Sequence, residues 1–175
     1  DGLKDFFVAT GIMKDLTDQD YIAFLGDENT MQQMLNGKKF DYHEFVDKMT
    51  STPVPNYAFK NLGNLKFENH AEDFGLEGPG FSNGAAYADL DNDGDLDVYI
   101  ASGGGENEPQ SKAYLDHFYL NDGKGNFTEQ SATLAPELKA IGMVTDAKVL
   151  DYDGDGLQDV VLVGEWMAPT FFKNV

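Results

Sequence analysis

The chain has 175 residues, 41% of them hydrophobic and 13% aromatic, which is enough apolar content for one folded domain with a core. Its 31 acidic residues outweigh 12 basic ones, all Lys, for a formal charge of −19, so no positive face is available for nucleic acid or for an anionic membrane surface. There is no Cys, which excludes disulfides, thiolate zinc sites and thiol catalysis, and neither a membrane span of about 18 apolar residues nor a secretory leader is visible.

In chain order, the opening "DGLKDFFVATG" reads as the second half of a unit that recurs later: Asp1-Gly2-Leu3-Lys4-Asp5 aligns with Asp155-Gly156-Leu157-Gln158-Asp159. The stretch from about 14 to 55 breaks this period, because Asp5 and Asp97 lie 92 residues apart whereas Asp97 and Asp159 lie 62 apart. Its spacing predicts a small helical insertion. Thr17 with Asp20 resembles a helix N-cap, Met31, Met34 and Leu35 follow helical spacing, and Tyr42, Phe45, Val46 and Met49 form an i, i+3, i+4, i+7 stripe that ends before Pro53 and Pro55. The stripe is expected to pack against neighbouring sheet, with capping of the fold or partner recognition as the sharper alternative.

"FKNLGNLKF" (59–67) and "YLNDGKGNF" (119–127) share an aromatic first position, Asn at the third, Gly at the fifth and Phe at the ninth, and both read as hairpins. The final "FKNV" looks like the start of the same element. Between these hairpins stand two acidic segments, "YADLDNDGDLDVYIAS" (87–102) and "VLDYDGDGLQDVVLVG" (149–164). Each unit thus reads as strand, acidic loop, strand, linker, strand, Asn/Gly turn, strand. Four short antiparallel strands about every 60 residues are the pattern of a β-propeller blade.

The expected fold is therefore all-β with a small helical insertion: a partial β-propeller, 1–175, built from four-stranded antiparallel blades with calcium loops. An incomplete blade occupies 1–75, a complete one about 84–133, and another incomplete one about 144–175. A ring needs about four to eight blades, so the remaining blades are expected from a longer chain or from other subunits.

The acidic loops carry the chemistry. Two carboxylates about 4 Å apart repel by roughly 4 kcal/mol at the effective dielectric near a protein surface, so converging rows of Asp call for a cation. The pattern D-x-D-x-D-G-x-x-D places oxygen ligands at positions 1, 3, 5 and 9, with Gly at 6 for the turn and a main-chain carbonyl at 7, a donor set that suits calcium. The candidate ligands are Asp89, Asp91, Asp93 and Asp97 with the carbonyl of Asp95, then Asp151, Asp153, Asp155 and Asp159 with that of Leu157. In the truncated copy they are Asp1, Leu3 and Asp5. An EF-hand needs a carboxylate at position 12 and an exiting helix. Here position 12 is Val8, Ile100 or Leu162, inside runs of buried-strand type, so the loops join strands.

On these residues, "GAAYADLDNDGDLDVYIA" and "YLNDGKGNF", the chain resembles the FG-GAP (VCBS-type) calcium-binding repeats of integrin α-subunit propellers, and more closely their bacterial and cartilage-acidic-protein-like relatives. The resemblance implies a secreted, bacterial, extracellular or cell-surface protein whose calcium ions stiffen loops on one rim, with a protein or glycan ligand bound elsewhere. His43, His70 and His117 are scattered, and no nucleophile elbow or phosphate-binding Gly loop appears, so no enzyme is expected. Two further readings stay open: a fragment of a propeller-fold polysaccharide-active enzyme, and a purely structural assembly module.

Overall fold

A computed structural model describes residues 2–11, 14–35, 42–103, 115–138 and 141–175. Among these residues the protein is mainly β, with antiparallel sheets of three, four and three strands and a separate two-stranded ribbon.

The first sheet has the order β1-β3-β4, from β1 (Phe6–Val8), β3 (Tyr57–Gly63) and β4 (Lys66–Asn69). Its β3–β4 hairpin turns on Asn64 and Leu65, both at positive φ (53° and 59°), the backbone that a two-residue I′ turn requires. The ribbon pairs β2 (Val54–Pro55) with β5 (Pro79–Gly80). A four-stranded meander follows: β6 (Ser82–Ala88), β7 (Asp97–Ser102), β8 (His117–Asn121) and β9 (Phe127–Glu129). The last sheet joins β10 (Met143–Leu150), β11 (Asp159–Glu165) and β12 (Thr170–Phe172).

Burial on both faces explains the apolar runs. Tyr99 and Ala101 of β7 pack with Val144, Val160 and Leu162 of the last sheet, while Phe7 and Ala58 of the first sheet join Tyr119 and Phe127 of the meander. A side chain at Gly164 would collide with the carbonyl of Met143, so the close β10–β11 approach there depends on Gly. The short helices α4 (Ala71–Phe74) and α5 (Ser131–Leu134) each follow the last strand of a sheet; α4 adds Ala71 and Phe74 to one of these cores, and Ala135 and Leu138, just after α5, join the other.

Among its described residues the insertion holds three helices, α1 (Gln19–Gly26), α2 (Glu28–Leu35) and α3 (Tyr42–Lys48). Two details differ from the sequence reading. The N-cap of α1 is Asp18, whose carboxylate accepts from the Tyr21 N–H at 2.9 Å; Thr17 instead donates to Asp15, and Asp20 lies within the first turn. The expected apolar stripe packs on α1 rather than on a sheet. Val46 and Met49 close on Tyr21, Phe24 and Leu25, and Phe45 meets Phe24 at 5.4 Å between ring centres. On α2, Met31 and Leu35 are exposed. The side chains of Met34, Tyr42 and His43 lie outside the described residues. Among the described residues no helix is long and apolar enough to cross a membrane.

Candidate metal centre

Both complete acidic segments are hairpin loops closed by a strand pair, Ala88 opposite Asp97 and Leu150 opposite Asp159. Their backbones repeat one another. Gly94 and Gly156, at position 6, have φ of 96° and 94°, and Asn92 and Gly154, at position 4, have φ of 65° and 80°. These left-handed values explain why Gly and Asn occupy the bends. The N–H of position 6 donates to the position 1 carboxylate, Gly94 to Asp89 at 3.1 Å and Gly156 to Asp151 at 2.9 Å. Asp91 and Asp93 accept from the N–H two residues on, as do Asp153 and Asp155. The turns thereby aim carboxylates inward.

Two triads result. Asp89, Asp91 and Asp97 each place one oxygen within 4.8 Å of the others, and so do Asp151, Asp153 and Asp159. Asp93 and Asp155 fall outside these groups. The side chain of Asp95 lies against Gly123 in the β8–β9 turn. Asp1 lies outside the described residues; Gly2 has the position 6 backbone (φ 86°), Leu3 follows it, and Asp5 is exposed just before β1.

The position 9 aspartates are fully buried in the two complete loops. Asp97 accepts from the N–H groups of Leu90 (2.8 Å) and Asn121 (2.9 Å), and Asp159 from those of Tyr152 (3.1 Å) and Asn174 (2.8 Å). In return, the Asn121 amide donates to the Leu96 carbonyl and that of Asn174 to the Gln158 carbonyl, each at 3.2 Å. The truncated copy keeps this lock: Asn61 N–H donates to Asp5 at 2.7 Å and its amide to the Lys4 carbonyl at 3.0 Å. Sequence reasoning took these three Asn residues only as turn signals. Their recurrence at the third position of "FKN", "YLN" and "FKN" was the available clue to a role in the loops.

Electrostatics separate the two loops. Burial pushes the Asp97 and Asp91 carboxyls up, against the hydrogen bonds from neighbouring N–H groups. Asp89 Oδ1 is buried without a hydrogen-bond partner. An orphaned carboxylate oxygen facing two other carboxylates fits a divalent cation better than it fits any neutral arrangement. In the second loop the ammonium of Lys173 contacts Asp153 and lies 2.8 Å from Asp155, which holds the Asp155 carboxyl below its ordinary range. Sequence reasoning did not find this ion pair. Loop one also reaches the residue that locks loop two: Asn92 and Asn174 exchange side-chain hydrogen bonds at 3.0 and 3.3 Å.

Residues 89–162 match the model of a family described as an FG-GAP-like repeat, a span that runs from the first ligand position of loop one through the meander into β11. The segment carrying both triads is therefore similar to an FG-GAP-like repeat. No curated protein matches the chain.

Proposed function

We propose that the protein is a non-enzymatic calcium-binding module of propeller type that serves extracellular binding or adhesion, with the ions in a structural role. The observation that carries the calcium reading is the pair of oxygen-only triads on equivalent loops, one of them with an orphaned buried oxygen. Hard oxygen donors in a flexible loop suit calcium, which takes six to eight of them. Asp89, Asp91, Asp93 and Asp97 would hold one ion together with the Asp95 carbonyl. Asp151, Asp153, Asp155 and Asp159 with the Leu157 carbonyl would hold the other, and Asp5 with Leu3 and Asp1 would form a partial third. The ions neutralise clustered charge at the hairpin tips.

The sheets support the propeller reading. β10 lies alongside β6, so the first strands of the last two sheets are neighbours, and the sheets stack face to face. By repeat alignment Val8 corresponds to Ile100 and Val163 to Ala101. The outer two are 37% and 41% exposed and the central two 1% each. Further blades, from a longer chain or from other subunits, would cover the outer faces as the flanking sheets cover the meander. A secreted protein that meets a protein or glycan ligand at a surface away from the loops accords with this architecture and with the formal charge of −19.

Calorimetric titration of chelator-treated protein with Ca²⁺ tests the reading. Saturable binding accompanied by a raised melting temperature is expected. No heat of binding, and the same melt in EDTA as in millimolar Ca²⁺, would overturn it.

A further inference from the structure

We infer that the two loops are unequal cation sites, the second being occupied by an internal cation, Lys173, that an incoming metal ion must displace. The inference rests on the reading of the loops as calcium sites and goes beyond it. The loops share backbone, donor pattern and Asn lock, so their difference lies in what faces the carboxylates. Lys173 immediately precedes the lock residue Asn174; the residue that precedes the lock residue Asn121 is Leu120. The ammonium of Lys173 contacts Asp153, a member of the second triad, and lies 2.8 Å from Asp155, the next ligand position. Leu120 carries no charge, and the first loop retains the unpartnered Asp89 Oδ1.

A divalent ion entering loop one meets unneutralised carboxylates. An ion entering loop two must first break two ion pairs and then share the loop with a displaced positive charge. Exposed pairs of this kind are worth about 0.2–1 kcal/mol each, so roughly a 2- to 30-fold weakening is expected for the pair. Loop one therefore fills at lower calcium concentration than loop two.

Exchanging the two residues tests the inference. Ca²⁺ is titrated calorimetrically into chelator-treated wild type, Lys173→Leu and Leu120→Lys, with circular dichroism to verify folding. The wild type should show two affinities, Lys173→Leu should tighten the weaker one by about 2- to 30-fold, and Leu120→Lys should weaken the stronger one. Lys173→Met, which keeps the stem, should behave as Lys173→Leu, so a packing defect in either replacement is recognisable. Two equal affinities in the wild type, or an unmoved weaker site in both Lys173 variants, would overturn the inference and leave the calcium reading standing. An absence of calcium binding in wild type would overturn both.

Discussion

Asp116, just before β8, is 4% exposed; it accepts from the Tyr99 hydroxyl at 2.5 Å and from the Ser102 N–H at 2.9 Å. Burial is the larger influence and pushes its carboxyl up to about 6 despite these two hydrogen bonds. An unfolded Asp titrates near 3.9. Between about pH 4 and 6 the native state thus keeps a proton that the unfolded state has released, so this group's contribution to stability is full below pH 4 and is lost as pH rises through 6. Denaturation curves of wild type and Asp116→Asn should diverge across that window by about 2–3 kcal/mol. A pH-independent difference would show that Asp116 ionises as freely in the folded protein as in the unfolded chain. The lock residues make a second case. Asn121→Ala removes a donor to Leu96 and an acceptor for the N–H groups of Gly123 and Gly125, and should cost about 1–3 kcal/mol in urea denaturation. A loss under about 0.5 kcal/mol would mean that water replaces the amide without penalty.

At the scale of elements, the helical insertion stands on its own core and joins the sheets through a narrow neck. Thr10 bonds Asn56 and Pro55, and the Asp15 N–H donates to the Thr50 carbonyl at 3.0 Å. Replacing residues 16–49 by a short Gly/Ser linker should shift the stability of the sheets by no more than about 1 kcal/mol, because the buried cluster removed is internal to the insertion. Collapse of the cooperative melt would show that the helices support the sheets. For the acidic loops, Asp93→Ala and Asp155→Ala should each reduce the rise in melting temperature produced by Ca²⁺. One ion at a hundredfold excess over its dissociation constant contributes about 2.7 kcal/mol, which is several degrees for a chain of this size. Differential scanning calorimetry at fixed Ca²⁺ reads the loss.

The elements legible in the sequence were those whose signal is local. The Gly bend at position 6 of the loops, the β3–β4 and β8–β9 hairpins and the α1–α3 insertion all follow from residues within a few positions of each other. Contacts between distant segments were not legible. Lys173 on Asp153, Asn121 on Asp97 and Tyr99 on Asp116 pair groups whose approach depends on strand register. The cap of α1 was misplaced by one residue because Thr17 and Asp18 are both good caps, and the choice fell to Asp15, which takes the Thr17 hydroxyl and N–H.

Across the whole molecule, a formal charge of −19 opposes compaction through self-repulsion. Adding salt shortens the Debye length to about 8 Å at 0.15 M, so NaCl should raise the melting temperature of the chelated protein. If the two proposed sites fill, the effect should be smaller in Ca²⁺, where two divalent ions would bring the charge from −19 to −15. Equal salt responses in both conditions would argue that the loops retain their full negative charge in calcium.

The side-chain bridge between Asn92 and Asn174 has a mechanical consequence. It ties the tip of one hairpin to the residue that fastens its neighbour, so a displacement at that tip is passed to the neighbour's fastening rather than absorbed by a single turn. Adjacent sheets then share load at the rim, and pulling on one should pry at the next before it frays alone.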